Sequence, residues 1–292
     1  KAIGHLIRIL LLEKGNRELM YKLGCAYLSS GRFEEAHEQF SHLLEDESAD
    51  TLRGPAMAKY GLTLYHLDKI DESKNILRTA LSRFPSLAEA ACYLGQIEAA
   101  TRLPSPEGER YLRHALSLDS IYTEAWYQLA RYHMNLGNYR TARRMLLECL
   151  EIEPLHVKAH SRLGMVYYYL DQPHLARKEY QTALALNPRD FNTWYNYGEL
   201  MNTVFNDPGE ALQYYKKAVD ILPTHAQANF KIGLICLNNK MIKEAIRYLQ
   251  RSRKEDPDNI RILLQLAVAY ERLGLPEEAL SIYKEIKALD GV

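Results

Sequence analysis

The chain has 292 residues, with 37 Lys and Arg against 37 Asp and Glu, so its formal net charge at pH 7 is zero. A neutral chain lacks the strong positive field that most nucleic-acid-binding proteins carry. No apolar run reaches the roughly 18 residues that a membrane-spanning helix needs. With 47% hydrophobic and 25% charged residues, the composition is typical of a globular protein. The sequence therefore predicts neither nucleic-acid binding nor membrane insertion.

The first predicted element is an amphipathic helix within residues 1–15, with apolar residues such as Leu6 and Leu10. A short apolar stretch at an N-terminus is also typical of a signal peptide, but Arg8 interrupts this one and no small-residue cleavage site follows. The segment lies 34 residues before the second helix of the next unit. We therefore interpret it as the second helix of a truncated repeat. We expect the chain to be a segment of a longer repeat protein, with a chain whose ends pack against partners as the alternative.

The rest of the chain is predicted to form pairs of helices joined by short turns. Residues 123–136 are apolar at positions three and four apart, which is the pattern of an amphipathic helix. A Gly-Asn pair at 137–138 separates them from a second such helix over 139–152, and Pro154 stops that helix. The same order of helix, turn, helix and breaker recurs along the chain.

Small residues mark the period of this pattern. One series lies in the first helix of each pair, at intervals of 34 to 37 residues: Gly24, Gly61, Gly95, Ala130, Gly164, Gly198, Gly233 and Ala267. A second series with the same spacing lies in the second helices: Ala36, Ser73, Gly108, Ala142, Ala176, Ala211, Ala245 and Ala279. Because a Gly inside a helix costs about 1 kcal/mol relative to Ala, the recurring glycines predict that the backbones of paired helices approach closely.

The period divides the chain into eight full repeats after the leading half. The full repeats cover approximately residues 17–50, 54–86, 88–121, 123–155, 157–189, 191–224, 226–258 and 260–292. Extra residues at Asp46–Pro55, Leu103–Pro106 and Phe205–Pro208 depart from the spacing. Exposed loops tolerate such length changes at little cost, and a role as contact loops is the less favoured alternative. No block of residues is left over for a second domain, so we expect one continuous array.

Each unit also carries larger residues at fixed positions. The unit with the fullest set has Leu163, Gly164, Tyr167, Ala176, Tyr180, Ala183 and Pro188. This set resembles the tetratricopeptide repeat (TPR) family, whose units have an aromatic residue, Leu-Gly and Tyr, then Ala, an aromatic residue, Ala and Pro. The weakest unit has Glu98 at the Tyr position. The resemblance implies an all-α, right-handed superhelical solenoid of antiparallel helix pairs, with residues 1–292 as a single TPR array and with Tyr167, Tyr180 and Tyr270 in its core.

Motifs for catalysis or cofactor binding are not found in the sequence. There is no phosphate-binding loop, no dinucleotide fingerprint and no His-Glu-x-x-His. His156 and His160 have the spacing of metal ligands, but they fall in an inter-repeat turn and at the family's aromatic position, so we interpret them as structural. The four cysteines are far apart and are expected to be reduced, with a reactive Cys92 as the less favoured alternative. We predict a non-enzymatic, cytoplasmic protein without a cofactor or metal.

The resemblance also implies where a partner would bind. Stacked helix pairs have a concave surface lined mainly by their first helices, and one side of each first helix is expected to face it. The predicted partner-binding groove is formed by Tyr127, Arg131, Met134, Ser161, Met165, Tyr168, Tyr195, Glu199, Asn202 and Phe230. Tyr and Arg are enriched at interface hot spots and Met adapts to irregular partners. Packing between neighbouring first helices is the alternative role for several of the tyrosines.

These features predict a scaffold or adaptor that binds a peptide or helix of a partner protein in the groove, as part of a multiprotein complex. One alternative is a substrate-recognition or regulatory arm of a larger enzyme. Another is a subunit of a large assembly in which the convex face and the ends matter as much as the groove.

The resemblance also excludes one kind of partner. Some TPR domains hold the C-terminal carboxylate of chaperone peptides with a Lys and, four residues later, an Asn. The corresponding positions hold Tyr21 and Cys25 in the first full unit, and Ala58 and Leu62 in the second. We therefore predict that the chain does not bind chaperone C-terminal peptides.

Overall fold

The computed structural model describes residues 2–13, 15–45, 51–100 and 105–290, and over these ranges the chain forms seventeen helices and no strand. The helices are α1 (Ala2–Leu12), α2 (Arg17–Ser29), α3 (Phe33–Glu45), α4 (Arg53–His66), α5 (Ile70–Arg83), α6 (Ala88–Ala99), α7 (Pro106–Leu118), α8 (Thr123–Asn135), α9 (Tyr139–Ile152), α10 (Val157–Tyr169), α11 (Pro173–Leu186), α12 (Phe191–Thr203), α13 (Pro208–Ile221), α14 (Ala226–Asn238), α15 (Ile242–Glu255), α16 (Ile260–Leu273) and α17 (Pro276–Asp290).

The helices belong to two compact units, Lys1–Pro154 and Leu155–Val292. In the first unit α1 packs against α2, and the pairs α2–α3, α4–α5, α6–α7 and α8–α9 follow. The second unit consists of the pairs α10–α11, α12–α13, α14–α15 and α16–α17. Short turns join the helices of a pair, so the two helices run antiparallel. This arrangement confirms the predicted all-α fold of stacked helix pairs.

The recurring glycines of the first helices lie beneath a large side chain of the second helix. A methyl group on Gly164 would come within 2.6 Å of the ring of Tyr180. The same kind of contact occurs at Gly24, Gly61, Gly198 and Gly233. A close approach of two backbones occurs where α6 crosses α7, since a methyl group on Gly108 would lie 3.0 Å from the backbone nitrogen of Ala99. A methyl group on Gly233 would likewise lie 3.6 Å from the carbonyl oxygen of Ala245. The predicted close backbones therefore occur at these crossings, and at each of the others a buried side chain lies over the glycine.

In three of the pairs, the aromatic position of the repeat ties the first helix to the turn before it. Trp126 Nε1 donates a hydrogen bond to the carbonyl six residues earlier, at 2.9 Å, and Trp194 Nε1 does the same at 2.8 Å. In the seventh pair Asn229 takes this position, and its Nδ2 donates to the carbonyl of Pro223 at 2.9 Å. In these three pairs the position supplies an N–H donor to the turn, and the donor need not be aromatic.

Tyrosines contribute much of the core of the second unit. Tyr180, Tyr197 and Tyr215 are among its largest fully buried side chains. Tyr180 has the core position implied by the resemblance and is 1% exposed. Tyr167 and Tyr270 are half-buried and pack against the same core.

The weakest repeat replaces the family tyrosine with a buried carboxylate. Glu98 on α6 is 7% exposed, and its Oε1 lies 3.0 Å from Lys74 Nζ and 3.8 Å from Arg78 Nη2 on α5. These two cations compensate the charge that burial would otherwise make unfavourable. The departure from the family pattern is therefore accommodated by an ion pair within unit one.

The turns between the two helices of a pair contain a residue in the left-handed backbone conformation. Gly137 and Gly274 have φ values of 73° and 82°, which glycine adopts without steric cost. Asn206 has a φ of 51° in the predicted loop at Phe205–Pro208, and Asn tolerates this region better than most residues. The predicted extra residues at 46–50 and 103–104 lie outside the described residues.

Candidate partner-binding surfaces

The predicted groove residues lie on one side of the first helices, and this side is called the first-helix face. In the first unit α4 packs beside α6, and α6 packs beside α8. In the second unit α10 packs beside α12, and α14 packs beside α16. Within each unit, side chains of neighbouring first helices therefore reach one another.

A shielded ion pair joins α4 to α6 on the first-helix face of the first unit. Lys59 Nζ lies 2.5 Å from Glu89 Oε1 and donates a hydrogen bond to Tyr93 Oη at 2.8 Å. Tyr93 Oη in turn donates to Glu89 Oε1 at 3.0 Å. Both charged side chains are less than a quarter exposed. The charges of Lys59 and Glu89 are thus satisfied by the chain itself.

Burial governs the ionisable groups near this pair. It raises the pKa of Tyr93 and of Tyr122, and the Glu89 carboxylate adds to both effects. Burial also raises the pKa of Cys92 well above its ordinary value and that of Cys149 to about 12. Because the thiolate is the reactive form of cysteine, these two buried thiols are unreactive, and the alternative of a reactive Cys92 finds no support.

The three predicted groove residues of α8 differ in exposure. Tyr127 is buried, with 6% of its surface exposed. Arg131 is half-buried, and its Nη1 donates to Gln128 Oε1 at 2.9 Å. Met134 is also half-buried. Arg131 and Met134 keep surface for a partner, whereas Tyr127 is part of the packing.

On α10 the predicted residues begin with a buried hydroxyl. Ser161 is 7% exposed and accepts a hydrogen bond from Thr193 Oγ1 at 2.7 Å, which ties α10 to α12. Met165 and Tyr168 are half-buried. Tyr168 Oη lies 3.3 Å from Thr203 Oγ1, at the end of α12. The more exposed part of this helix thus offers a thioether and a phenol ring.

Aromatic rings cluster between α12 and the turn that leads into α14. The ring of Tyr195 lies 5.3 Å from that of His225 and 5.8 Å from that of Tyr215, and Phe191 lies 4.5 Å from His225. His225 Nδ1 caps α14 by accepting a backbone N–H at 3.1 Å. Burial raises the pKa of Tyr195 to about 12, and the Glu199 carboxylate contributes. Tyr195 is therefore a neutral, half-buried ring held by its neighbours.

Glu199 is fixed from two sides on the same helix. Its carboxylate accepts hydrogen bonds from Tyr215 Oη and, at 2.9 Å, from Lys231 Nζ. Asn202 is half-buried, and its amide has no hydrogen-bond partner among the described residues. Phe230 is buried, with 6% of its surface exposed. The face of α12 thus presents an oriented carboxylate beside an amide that a partner can reach.

Three residues of these faces were missed by the sequence prediction. Lys231 follows directly after the predicted groove residue Phe230, Lys59 follows Ala58, and Tyr93 follows Cys92. Each bridges to a neighbouring first helix. A polar side chain directly after the inward position of a first helix is the sequence signal that could find them.

The two histidines with metal-ligand spacing serve local structure. His156 Nδ1 accepts the backbone N–H of Ala159 at 3.1 Å and caps α10. His160 Nδ1 lies 2.6 Å from Glu179 Oε2 on α11. Within the described ranges, no group of three or more His, Cys, Asp and Glu side chains is placed to hold a metal ion. None of the helices in those ranges is long and apolar enough to span a bilayer.

Models of the tetratricopeptide repeat match most of the chain. They cover residues 18–45, 123–166, 157–190, 205–260 and 237–291. The chain belongs to the tetratricopeptide repeat family, as the resemblance of its repeat positions implied.

The relatives that match this chain in sequence have different names. The BBSome complex member BBS4 of Bos taurus is 25% identical over 224 residues, which are 76% of this chain and 43% of that protein. Protein O-mannosyl-transferase TMTC1 of Homo sapiens is 29% identical over 239 residues, which are 80% of this chain and 25% of that protein. The chain therefore spans less than half the length of either relative.

A solved structure shows the same fold. In the crystal structure of the APC/C hetero-tetramer Cut9-Hcn1, a chain with 19% identity superposes with a TM-score of 0.68. The superposition covers 99% of this chain and 56% of that chain. At this level of identity the likeness supports the helix-pair fold alone.

Proposed function

We propose that this chain is a scaffold or adaptor that binds a peptide or helix of a partner protein on its first-helix face, within a multiprotein complex and without catalytic activity of its own. The observation that carries the proposal is the row of half-buried side chains on α10 and α12: Tyr168, Tyr195, Glu199 and Asn202. These residues combine ring surface, a carboxylate and an amide within one unit.

Two members of the row are ordered before a partner arrives. Tyr215 and Lys231 hold Glu199, and Tyr195 packs against His225. Side chains that are already ordered lose little conformational entropy on binding, which favours affinity. Tyr adds large contact area at a small entropic cost and is enriched at hot spots. A peptide side chain packed on the Tyr rings, with its backbone bonded to Asn202, would use each of these groups.

The other predicted residues fall into two groups. Met165 on α10, and Arg131 and Met134 on α8 of the first unit, keep exposed surface and are proposed as contacts by the same argument. The buried side chains of Tyr127, Ser161 and Phe230 offer little surface. In this proposal they shape the face rather than touch the partner.

Membership of a complex is supported by a relative. BBS4 is named as a member of the BBSome complex and is 25% identical over 76% of this chain. This chain is built on the same repeats and has ordered side chains on one face, which supports a role as a member of a multiprotein complex.

The proposal is tested by a matched pair of double variants. Tyr168→Ala with Asn202→Ala removes two members of the row, and Tyr283→Ala with Asn239→Ala removes the same residue types from α17 and from a turn. Partners captured from the source organism by the unaltered chain are measured by quantitative mass spectrometry. Because loss of a hot spot costs about 2 kcal/mol or more, we expect the first variant to lose them by tenfold or more and the second to retain them. Equal capture by both variants, with unchanged helical circular dichroism, would contradict the proposal.

A second candidate is the recognition or regulatory arm of a larger enzyme. TMTC1 is named as an O-mannosyl-transferase, and this chain matches a quarter of its length. In that case the first-helix face would hold a substrate for a catalytic domain elsewhere in the protein. The complete coding sequence decides between the candidates, since a flanking transferase domain would favour the second.

We also propose that the eight pairs form one continuous array. The 34-residue register passes through Pro154 without interruption, as the step from Ala130 to Gly164 shows. Repeat arrays gain stability from interfaces between neighbouring repeats. Calorimetry of the whole chain should therefore show one cooperative transition, and two separate transitions would contradict the proposal.

A cytoplasmic location is part of the proposal, because Cys25, Cys92, Cys149 and Cys236 all carry free thiols. Cell fractionation tests it directly.

Exclusion of chaperone C-terminal peptides is proposed as well, because Tyr21 bonds to Cys25 and burial raises the pKa of both groups, leaving them neutral. Binding of such a peptide in a fluorescence anisotropy titration would contradict this last point.

A further inference from the structure

The outer side of α15 carries a stripe of positive charge. Lys243, Arg247, Arg251 and Lys254 are exposed and stand three or four residues apart. On a helix with 3.6 residues per turn this spacing puts them on one side, over a length of about 16 Å. These four residues are called the α15 stripe.

Most of this charge has no partner. Three members of the stripe have no carboxylate within ion-pair distance among the described residues. The fourth, Arg247, lies 3.5 Å from Glu244, which is also paired with Lys216 at 3.0 Å. Arg253 on the same helix shows the contrast, because it donates to both oxygens of Glu285 at 3.0 and 2.8 Å. The stripe is therefore the uncompensated side of the helix.

Helix stability does not account for the whole stripe. A cation in the last turn, such as Lys254, is favoured by the helix dipole. Lys243 stands in the first turn, where a positive charge is unfavourable. Between them, the guanidinium groups of Arg247 and Arg251 lie 5.2 and 5.5 Å from the ring of Tyr248. Two of the four charges are thus held in place by a ring beneath them.

We propose that the α15 stripe is a docking site for a short acidic segment of a partner protein. Such a segment presents carboxylates at intervals that can match a row of cations, and the two ordered guanidinium groups can each bind one bidentately. The stripe lies on α15, which is the second helix of its pair. This site is therefore separate from the first-helix face and does not rest on the function proposed above. The chain would then hold two protein segments at different surfaces.

Two observations favour a protein segment over nucleic acid. Exposed carboxylates of Glu255 and Asp258 follow the stripe directly, and they would repel a phosphate backbone that continued past it. Tyr248 is only 7% exposed, so it offers no platform on which bases could stack. A short acidic segment can end before these carboxylates.

The test uses the full chain and a fluorescein-labelled oligo-glutamate peptide, with anisotropy as the readout. The stripe variant is Lys243→Glu/Arg251→Glu/Lys254→Glu. The control variant, Lys69→Glu/Arg83→Glu/Arg140→Glu, makes the same change in net charge at exposed positions of the first unit. We expect the unaltered chain and the control to bind alike, and the stripe variant to bind at least about tenfold more weakly. Binding should also weaken as salt rises from about 50 to 200 mM.

Four results would overturn the proposal. One is the absence of oligo-glutamate binding by the unaltered chain at low salt, and another is an equal loss in both variants. Tighter binding of a single-stranded oligonucleotide that the stripe variant loses would assign the stripe to nucleic acid. Self-association of the unaltered chain that the stripe variant loses would assign it to a second copy. Circular dichroism on both variants verifies that the helices are intact.

Discussion

The first-helix faces of the two units share one frame and differ in chemistry. The first unit carries the shielded pair of Lys59 and Glu89 between α4 and α6, whereas the second presents Tyr168 and Tyr195 beside an oriented Glu199. Beneath both faces, a recurring glycine lies under a side chain of the second helix. This buried contact, called the frame, holds the two helices of a pair together. The residues on the face can therefore differ from repeat to repeat.

The largest expected effect tests whether the two faces depend on their ion pairs alike. Lys59→Met removes the cation of Glu89, which keeps the Tyr93 hydroxyl. Lys231→Met removes the cation of Glu199, which keeps the Tyr215 hydroxyl. Because both pairs are shielded to about the same degree, each substitution should lower the free energy of unfolding by about 3 kcal/mol. Urea unfolding of the two variants measures both losses.

The control is the double variant Lys59→Met with Glu89→Gln. It removes the unpaired charge and should recover most of the lost stability. A loss from only one of Lys59→Met and Lys231→Met would show that the two faces depend on their ion pairs to different degrees.

A smaller effect tests whether the frame is shared. A methyl group on Gly61 would lie 2.5 Å from Leu77 Cγ, and one on Gly198 would lie 2.7 Å from the ring of Tyr215. Each Gly→Ala substitution should lower the thermal midpoint, at a cost of about 2 kcal/mol from overpacking. Gly4→Ala is the control, since no atom lies within 4 Å of the added methyl group, and it should leave stability unchanged or raise it. A tolerated Gly198→Ala would show that the frame can adjust in the second unit.

The smallest expected effect concerns pH. Burial lowers the pKa of His225 below its ordinary value of 6.5, so its neutral form is favoured in the folded chain. The stability gained from the cap on α14 is therefore complete above pH 6.5 and is lost as the pH falls through the folded pKa. A cap contributes about 1 kcal/mol.

His225→Asn keeps a capping side chain that does not titrate. Urea unfolding between pH 7.5 and 5 should thus show a smaller acid-induced loss for this variant than for the unaltered chain. Because burial also lowers the pKa values of His66 and His133 in the first unit, part of the loss should persist. Identical pH profiles would mean that protonation of His225 does not weaken the cap.

The repeat period was enough to predict the helix pairs and the family, because small residues recur at the same place in all eight repeats. It did not predict what lies over each glycine, since Tyr180 reaches Gly164 from the other helix of the pair. It also missed the bond between Lys59 and Tyr93, which are 34 residues apart. Both contacts depend on which side chain meets which across the fold. Predicted groove residues such as Tyr127 proved buried for the same reason.

The exchange of Trp for Asn229 has a consequence for how this repeat is defined. What Trp126, Trp194 and Asn229 have in common is a side-chain N–H placed against the same carbonyl. In these three pairs the position supplies a hydrogen-bond donor, and a ring is one way to supply it, whereas Met57, Ala91 and Leu263 at the same position of other pairs carry no side-chain N–H. A pattern that demands an aromatic residue would pass over the seventh pair, whereas one written in terms of donors would find it.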